Sequence, residues 1–222
     1  MGIDVAQASK IIEELSKLDK VVAVRSSATV EDMFGASSAG IYKTTLNISD
    51  QEGLILAIIE GFESFNADQA NKYRQASVGD LKGRMALVVQ SMIDADASGV
   101  IFTRNPLNND SDEVIINATY GIGNLLVSGE VPGDIFIFDK YGYVLTSSLT
   151  EKSRKLTTSG IVEIDDPETR KTPCLDEVML QELFTYGKKI EEIFGCPQDI
   201  EFAVRDGKVW ILQARPITTL NK

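Results

Sequence analysis

The sequence predicts an α+β domain whose strands are joined mostly in antiparallel order. Stretches with a helical apolar stripe are mixed with short runs of β-branched and apolar residues, and turn residues join several neighbouring runs. The composition, 43% hydrophobic and 25% charged, is that of a globular protein with a core. With 222 residues, the chain is long enough for one large domain or two modest lobes.

The first forty residues predict a helix, a strand and a long loop. In residues 5–18 the apolar side chains fall on one helical stripe, and Asp4 is a suitable N-cap. Residues 21–25 are short, β-branched and apolar, which predicts a buried strand that ends at Arg25. Residues 26–40 predict a loop of small residues, and loops of that length in compact domains are usually functional.

The rest of the chain predicts mainly strands. The predicted strands before the C-terminal region cover residues 43–48, 99–103, 113–118, 134–139 and 141–147, and residues 85–93 are an apolar run. The predicted helices cover residues 52–65, 67–76 and 175–194, and Gly195 is placed to end the last of them. Residues 151–173 are polar and rich in turn residues. A hairpin follows at residues 199–204 and 208–213, joined by Arg205, Asp206 and Gly207.

The composition excludes several classes of function. The chain contains no histidine, so it cannot by itself complete a histidine-dependent triad, a histidine-ligated zinc site or phosphohistidine chemistry. The net charge of −11, without a basic block, disfavours nucleic acid and acidic membrane surfaces as partners. Cys174 and Cys196 lack metal-ligand spacing and no signal peptide is recognised, so we expect a cytoplasmic protein. The longest purely apolar run, residues 54–59, is far below the roughly 20 residues of a membrane span.

The C-terminal hairpin carries the clearest candidate site. Asp199 and Glu201 share one face of the first strand, and Gln213 and Arg215 share one face of the second. Counting outward from the turn places Glu201 opposite Leu212, one residue from Gln213. Carboxylate and amide oxygens are hard ligands suited to Mg²⁺, and an adjacent arginine could neutralise a phosphate. The alternative is a solvated hairpin face with cross-strand charge pairs.

A second candidate site begins at Arg25. An arginine followed by the small hydroxyl residues Ser26 and Ser27 is a plausible cradle for an anion, although an ordinary exposed loop has the same pattern. The sequence has no G-x-x-x-x-G-K-[ST] motif, which excludes a P-loop. Residues 120–129 also fail the G-x-G-x-x-G pattern, because its third glycine position is Leu126.

Four segments together resemble a known family. They are VAVRSSATVEDMFGASSAG (22–40), VVQSMIDADASGVIFTRNP (88–106), INATYGIGNLLVSGEVPGD (116–134) and DIEFAVRDGKVWILQARPIT (199–218). In order and spacing they resemble the ATP-grasp nucleotide-binding domain of phosphoenolpyruvate synthase, pyruvate phosphate dikinase and rifampin phosphotransferase. The resemblance spans nearly all of residues 20–218 and implies an ATP-grasp fold with two lobes.

The resemblance implies roles for individual residues. Arg25 matches the arginine that contacts the nucleotide phosphates, and Arg215 matches the arginine that stabilises the transferring phosphate. Glu201 and Gln213 match the residues that hold Mg²⁺, with Asp199 as their acidic neighbour. The matches to the hinge whose backbone pairs with adenine are Gln90, Ser91, Met92 and Ile93.

The resemblance also implies a domain organisation. Residues 1–84 would be a remnant of the N-terminal lobe, and residues 85–222 would form the C-terminal lobe, with the hinge at 90–93 and the metal-binding hairpin at 199–215. Two features depart from the family pattern. A glycine-rich block with a phosphate-gripping lysine is missing ahead of Arg25, and Asn124 stands where the family has a glutamate. We therefore expect a fragment of a larger enzyme.

The function implied by the resemblance is ATP-dependent phosphotransfer of the phosphoenolpyruvate synthase type. Phosphate would pass from ATP, with Mg²⁺, to a histidine on another domain of the full-length enzyme and then to an acceptor such as pyruvate. The lack of histidine in this chain fits that expectation. The alternative is a non-catalytic module derived from the same domain that binds a nucleotide or a partner chain.

Overall fold

The structure is a computed structural model, and it describes residues 21–29, 42–68, 70, 83–108 and 112–217. The predicted helix at 5–18 and most of the predicted loop at 26–40 and helix at 67–76 lie outside these residues. The chain divides into two compact units, Met1–Met92 and Ile93–Lys222. None of the helices in the described ranges is long and apolar enough to cross a membrane.

The first unit contains a three-stranded antiparallel sheet and one helix. The strands are β1 (Val22–Ala28), β2 (Thr45–Ile48) and β3 (Met85–Ser91), in the order β2-β1-β3, and the helix is α1 (Gln51–Asn66). Asp50 caps α1 by accepting a hydrogen bond from the backbone N–H of Gly53 at 2.7 Å. Ala57 packs with Val24 and Ile48 in a small core between the helix and the sheet.

The end of β1 differs from the sequence prediction. β1 continues three residues past Arg25, because Ser26, Ser27 and Ala28 pair with the start of β3. Arg25 therefore lies inside the strand rather than at its end. The compact unit ends after Met92, and β3 pairs with β1 along its whole length.

The second unit is built on a six-stranded antiparallel sheet in the order β11-β10-β4-β5-β6-β7. Its strands are β4 (Ala97–Phe102), β5 (Glu113–Tyr120), β6 (Asp134–Asp139), β7 (Val144–Ser148), β10 (Gln198–Arg205) and β11 (Lys208–Pro216). A separate hairpin is formed by β8 (Arg154–Thr157) and β9 (Gly160–Glu163). The helices are α2 (Asn124–Val127), α3 (Pro167–Lys171) and α4 (Glu177–Phe194). Mixed helices and antiparallel strands confirm the predicted α+β class.

Helix α4 covers one face of this sheet. Leu180 and Leu183 pack in the same buried cluster as Ile101, Ile116 and Ile200, which project from three neighbouring strands. The helix begins after the N-cap Asp176 and ends at Gly195, whose φ of 68° is the left-handed conformation predicted from the sequence. The burial of this face leaves alternate residues of the same strands on the opposite face.

A buried ion pair anchors residues 150–174 to the sheet. The Nζ of Lys152 lies 2.7 and 2.9 Å from the two carboxylate oxygens of Asp134, and both side chains are 0% exposed. Asp134 also accepts hydrogen bonds from the backbone N–H groups of Thr150 and Cys174 at 2.9 and 3.0 Å. The Lys152 ammonium lies 5.4 Å from the centre of the Tyr120 ring. The polar residues 151–173 are therefore ordered around a charge pair and contain β8, β9 and α3.

Candidate functional site

The candidate site lies on the sheet face opposite α4, which we call the Glu201 face. Residues directly opposite one another in an antiparallel ladder point to the same side of the sheet. Glu201 alternates along β10 with Ile200 and Phe202, which point into the core under α4. Glu201 and Asp199 therefore point away from the core.

A bulge in β11 sets which residues lie opposite these carboxylates. Phe202 pairs with Ile211 on the turn side, but Glu201 pairs with Gln213, so Leu212 is an extra residue in the ladder. The extra residue changes the alternation of β11 and turns Gln213 and Arg215 to the Glu201 face. The structure thus brings together four residues that the sequence analysis selected: Asp199, Glu201, Gln213 and Arg215.

Asp199 holds the guanidinium group of Arg215. The two residues are opposite each other, and the Oδ2 of Asp199 accepts hydrogen bonds from Nε and from one terminal nitrogen of Arg215 at 3.0 and 2.8 Å. Their side chains are 13% and 25% exposed, so the pair is partly shielded from water. The sequence analysis named Asp199 as the acidic neighbour of the metal ligands, and the structure places one of its carboxylate oxygens against Arg215.

The donor atoms at Glu201 and Gln213 fit a magnesium ion. A carboxylate and an amide oxygen are the hard ligands that Mg²⁺ takes from a protein when phosphate and water supply the others. In the described ranges, no group of three or more histidine, cysteine, aspartate or glutamate side chains could enclose a metal ion.

The row that contains Glu201 continues across the sheet. From Gln213 and Glu201 it runs through Val100 of β4 to Asn117 of β5 and Ile135 of β6. The sequence analysis did not select Asn117 as a candidate site residue. The available signal was an asparagine, which is depleted in strands, within the apolar run of β5.

Arg25 and the hinge residues belong to the first unit or to its boundary. Arg25 is half-buried in β1 opposite Val88 of β3. Gln90 and Ser91 end β3 opposite Ala23 and Val22, and the N–H of Met92 donates to the carbonyl of Val21 at 2.9 Å.

Backbone N–H and C=O groups alternate in direction along β3, and this alternation decides which of them point away from β1. Since Met92 faces β1 with its N–H, the preceding Ser91 directs its backbone groups away from β1. Ile93 is the first residue of the second unit.

Comparison with known proteins identifies relatives of nearly the whole chain. Over 90% of its length it is 38% identical to a Bacillus subtilis protein named uncharacterized phosphotransferase YvkC, of which it covers 25%. Over 96% of its length it is 37% identical to a probable phosphoenolpyruvate synthase of Methanocaldococcus jannaschii, of which it covers 18%. It is 34% identical, over 99% of its length, to the phosphoenolpyruvate synthase of Pyrococcus furiosus, of which it covers 29%. The chain thus spans less than a third of each of these relatives.

The family match is equally extensive. The family described as "Pyruvate phosphate dikinase, AMP/ATP-binding domain" matches residues 4–222, which include every described element. Among solved structures, D-alanine-D-alanine ligase from Helicobacter pylori aligns over 98% of this chain and 48% of its own, at 11% identity and a TM-score of 0.41, too low to establish a shared fold. On the strength of the sequence match, the chain belongs to the pyruvate phosphate dikinase AMP/ATP-binding domain family.

Proposed function

We propose that this chain is the nucleotide-binding part of a dikinase-type phosphotransferase that transfers phosphate from ATP to a histidine on another domain. The overall reaction that we propose for the full-length enzyme is pyruvate + ATP + water → phosphoenolpyruvate + AMP + phosphate, and relatives named phosphoenolpyruvate synthase support it. The observation that carries the proposal is the placement of Glu201 opposite Gln213, next to the pair of Arg215 and Asp199. Two oxygen donors suited to a metal and one cation held by a carboxylate thus lie next to each other on the same face of the sheet.

Glu201 and Gln213 hold the metal in this proposal. When bound, Mg²⁺ supplies charge neutralisation for the phosphate chain of the nucleotide. The two side chains contribute oxygen ligands from neighbouring strands, and the hydrogen-bonded ladder fixes their spacing. Cβ atoms of directly opposite residues are about 4.5–5.5 Å apart, which lets both oxygens approach one ion.

Arg215 supplies the positive charge for the transferred phosphate. Phosphoryl transfer requires positioning and electrostatic stabilisation more than covalent help from the protein. Asp199 uses one oxygen to hold two nitrogens of the guanidinium group, so the arginine keeps its orientation before the ligand arrives. Preorganised charges stabilise a transition state without the cost of rearrangement.

We assign the remaining nucleotide contacts to the first unit and to the segment that leaves it. Arg25 contacts the phosphates, and the backbone of residues 90–93 pairs with adenine. Within that segment, Ser91 is the residue whose strand position turns its backbone groups away from β1.

The phosphate-carrying histidine must come from outside this chain, because the chain contains none. The partners are therefore a histidine-bearing domain and an acceptor-binding domain of the same full-length enzyme, in the cytoplasm. The chain spans 18–29% of the length of the three relatives described above, which leaves room in proteins of that size for both.

A binding experiment tests this proposal. In an NMR titration of the ¹⁵N-labelled chain, we expect Mg-ATP to shift the side-chain signals of Gln213 and Arg215, and Glu201→Ala to weaken binding. Glu192→Ala is the matched control, because Glu192 is an exposed glutamate on α4, behind the opposite face of the sheet. Equal weakening by both substitutions, or no shift at Gln213 and Arg215, would contradict the proposal.

A further inference from the structure

Asn117 is a polar residue of the Glu201 face whose side chain makes no hydrogen bond in the part of the chain that the structure describes. It lies in β5 between the apolar residues Ile116 and Ala118. Its Oδ1 is buried without a hydrogen-bond partner. An unsatisfied buried polar atom costs about 1–3 kcal/mol, so a hydrophobic residue would serve stability better at this position.

The surroundings of Oδ1 fix the direction of the amide group. A Cβ atom added to Gly133 would lie 2.2 Å from this oxygen, so the oxygen occupies the space that the glycine leaves open. Nδ2, on the other side of the amide carbon, is not among the buried atoms that lack a partner. The reverse orientation would bury two N–H donors against Gly133 instead of one acceptor, which is costlier. Asn117 therefore presents a hydrogen-bond donor outward.

The donor faces the same side as the proposed metal ligands. Asn117 lies in the row of Gln213 and Glu201, with only Val100 between it and Glu201. Two strand spacings separate Asn117 from Glu201, which is about 10 Å. A Mg²⁺ ion held at Glu201 would neutralise the charge of the phosphates, and the inference below places the phosphate chain along this row, toward Asn117.

The neighbouring polar residues on this face do not offer such a donor. Thr119 is 1% exposed, so no ligand reaches its hydroxyl group. The hydroxyl of Ser98, opposite Thr119, donates to the carbonyl of Gly121. Asn117 is half-buried and, among these three residues, it alone presents a donor that a ligand can reach.

We infer that Asn117 is a phosphate-binding residue whose Nδ2 donates to an oxygen of the β- or γ-phosphate of Mg-ATP. This inference rests on the proposed function, since it requires the nucleotide to lie on the Glu201 face. Glu201 and Gln213 hold the metal side of the phosphate chain, and Asn117 holds the side nearer β5. An amide donor suits this position because it binds an anion without adding a charge that repels the metal.

The test is an NMR titration of the ¹⁵N-labelled chain, in which side-chain amide signals report directly on Asn117. We expect Mg-ATP to shift the Asn117 signals, identified by their loss in Asn117→Asp, and AMP to leave them in place. If Gln213 and Arg215 shift but Asn117 does not, the inference is overturned and the proposed function stands. If none of the three shifts, both fail.

Affinity measurements provide a second test. Asn117→Asp replaces the donor with a negative charge at constant size, and we expect it to weaken Mg-ATP binding by about tenfold, with AMP binding within about twofold of the original. Ser148→Asp is the matched control, because Ser148 lies opposite Ile135, two strands further along the same row. Equal weakening by Ser148→Asp would show a general charge effect and overturn the inference.

Discussion

Glu201 lies directly opposite Gln213, although the two residues are not equidistant from the turn that joins their strands. Asp206 and Gly207 form the tip of the hairpin, with φ values of 51° and 71°. Equal counting from this tip leads to Leu212. The ladder reaches Gln213 because Leu212 is bulged, and this single residue turns the amide toward the carboxylate.

Cross-linking tests this register. We expect Glu201→Cys/Gln213→Cys to form a disulfide under mild oxidation, because Cα atoms of opposite residues are about 4.5–5.5 Å apart and within reach of a disulfide. The control, Glu201→Cys/Ile211→Cys, should keep its thiols, since Ile211 lies opposite Phe202 and points to the other face of the sheet. Thiol titration and intact mass distinguish the two, in a background that carries Cys196→Ser. Equal cross-linking of both pairs would contradict the register.

The ion pair of Asp199 and Arg215 should contribute measurably to stability. Asp199→Asn removes the charge that holds two guanidinium nitrogens, and we expect it to lower the free energy of unfolding by about 1–3 kcal/mol. Glu130→Gln is the control, because Glu130 and Arg154 are 4.0 Å apart and more exposed, so its cost should stay below about 1 kcal/mol. Urea denaturation measures both. An equal cost would mean that the Asp199 pair does not fix the arginine.

The buried pair of Lys152 and Asp134 should be far more sensitive. Lys152→Met leaves a buried carboxylate without its cation, and we expect a loss of about 3–5 kcal/mol in the free energy of unfolding. Lys140→Met is the matched control, since the Lys140–Asp112 contact has a similar length of 2.8 Å but is 48% and 59% exposed. Its cost should be below about 1 kcal/mol in the same urea titration. A small loss in both variants would refute an anchoring role for the buried pair.

Stability should decline at alkaline pH. Burial, followed by the nearby charge of Asp134, raises the pKa of Cys174 above its ordinary value of 9.0, and burial raises the pKa of Tyr120 above 10.0. Above about pH 9 the unfolded chain loses these protons while the folded chain keeps them, so the free energy of unfolding falls as the pH rises. Cys174→Ala should make this decline shallower without abolishing it, because Tyr120 remains. Urea titrations between pH 7 and pH 10 provide the measurement, and an unchanged slope would contradict the assignment.

Local patterns were sufficient to predict several elements of the fold. The strand predicted at residues 134–139 matches β6 at both ends, and the predicted end of α4 at Gly195 is confirmed. These elements depend on short-range periodicity and on a glycine that adopts positive φ. The hairpin was also predictable, because Asp-Gly is a strong turn signal.

The bulge and the buried ion pair could not be predicted in the same way. The register of β11 depends on how β10 is held by β4, and nothing local marks Leu212 as the extra residue. The pairing of Lys152 with Asp134 joins residues 18 apart in sequence, and lysine is rarely fully buried. Asn117 could not be selected from the sequence, because its proposed role depends on its alignment with Val100 and Glu201 on neighbouring strands. That alignment is defined only once the sheet has formed.

The bulge also bears on which insertions and deletions the hairpin can accept. Removing Leu212 leaves Gln213 as the next residue after Ile211, so it would still lie opposite Glu201. A single-residue deletion elsewhere in β11 between Lys208 and Ile211 would instead need the same bulge to close in order to keep that pairing. Because of the bulge, the hairpin can lose one residue between its tip and Gln213 and still keep the Glu201–Gln213 pairing.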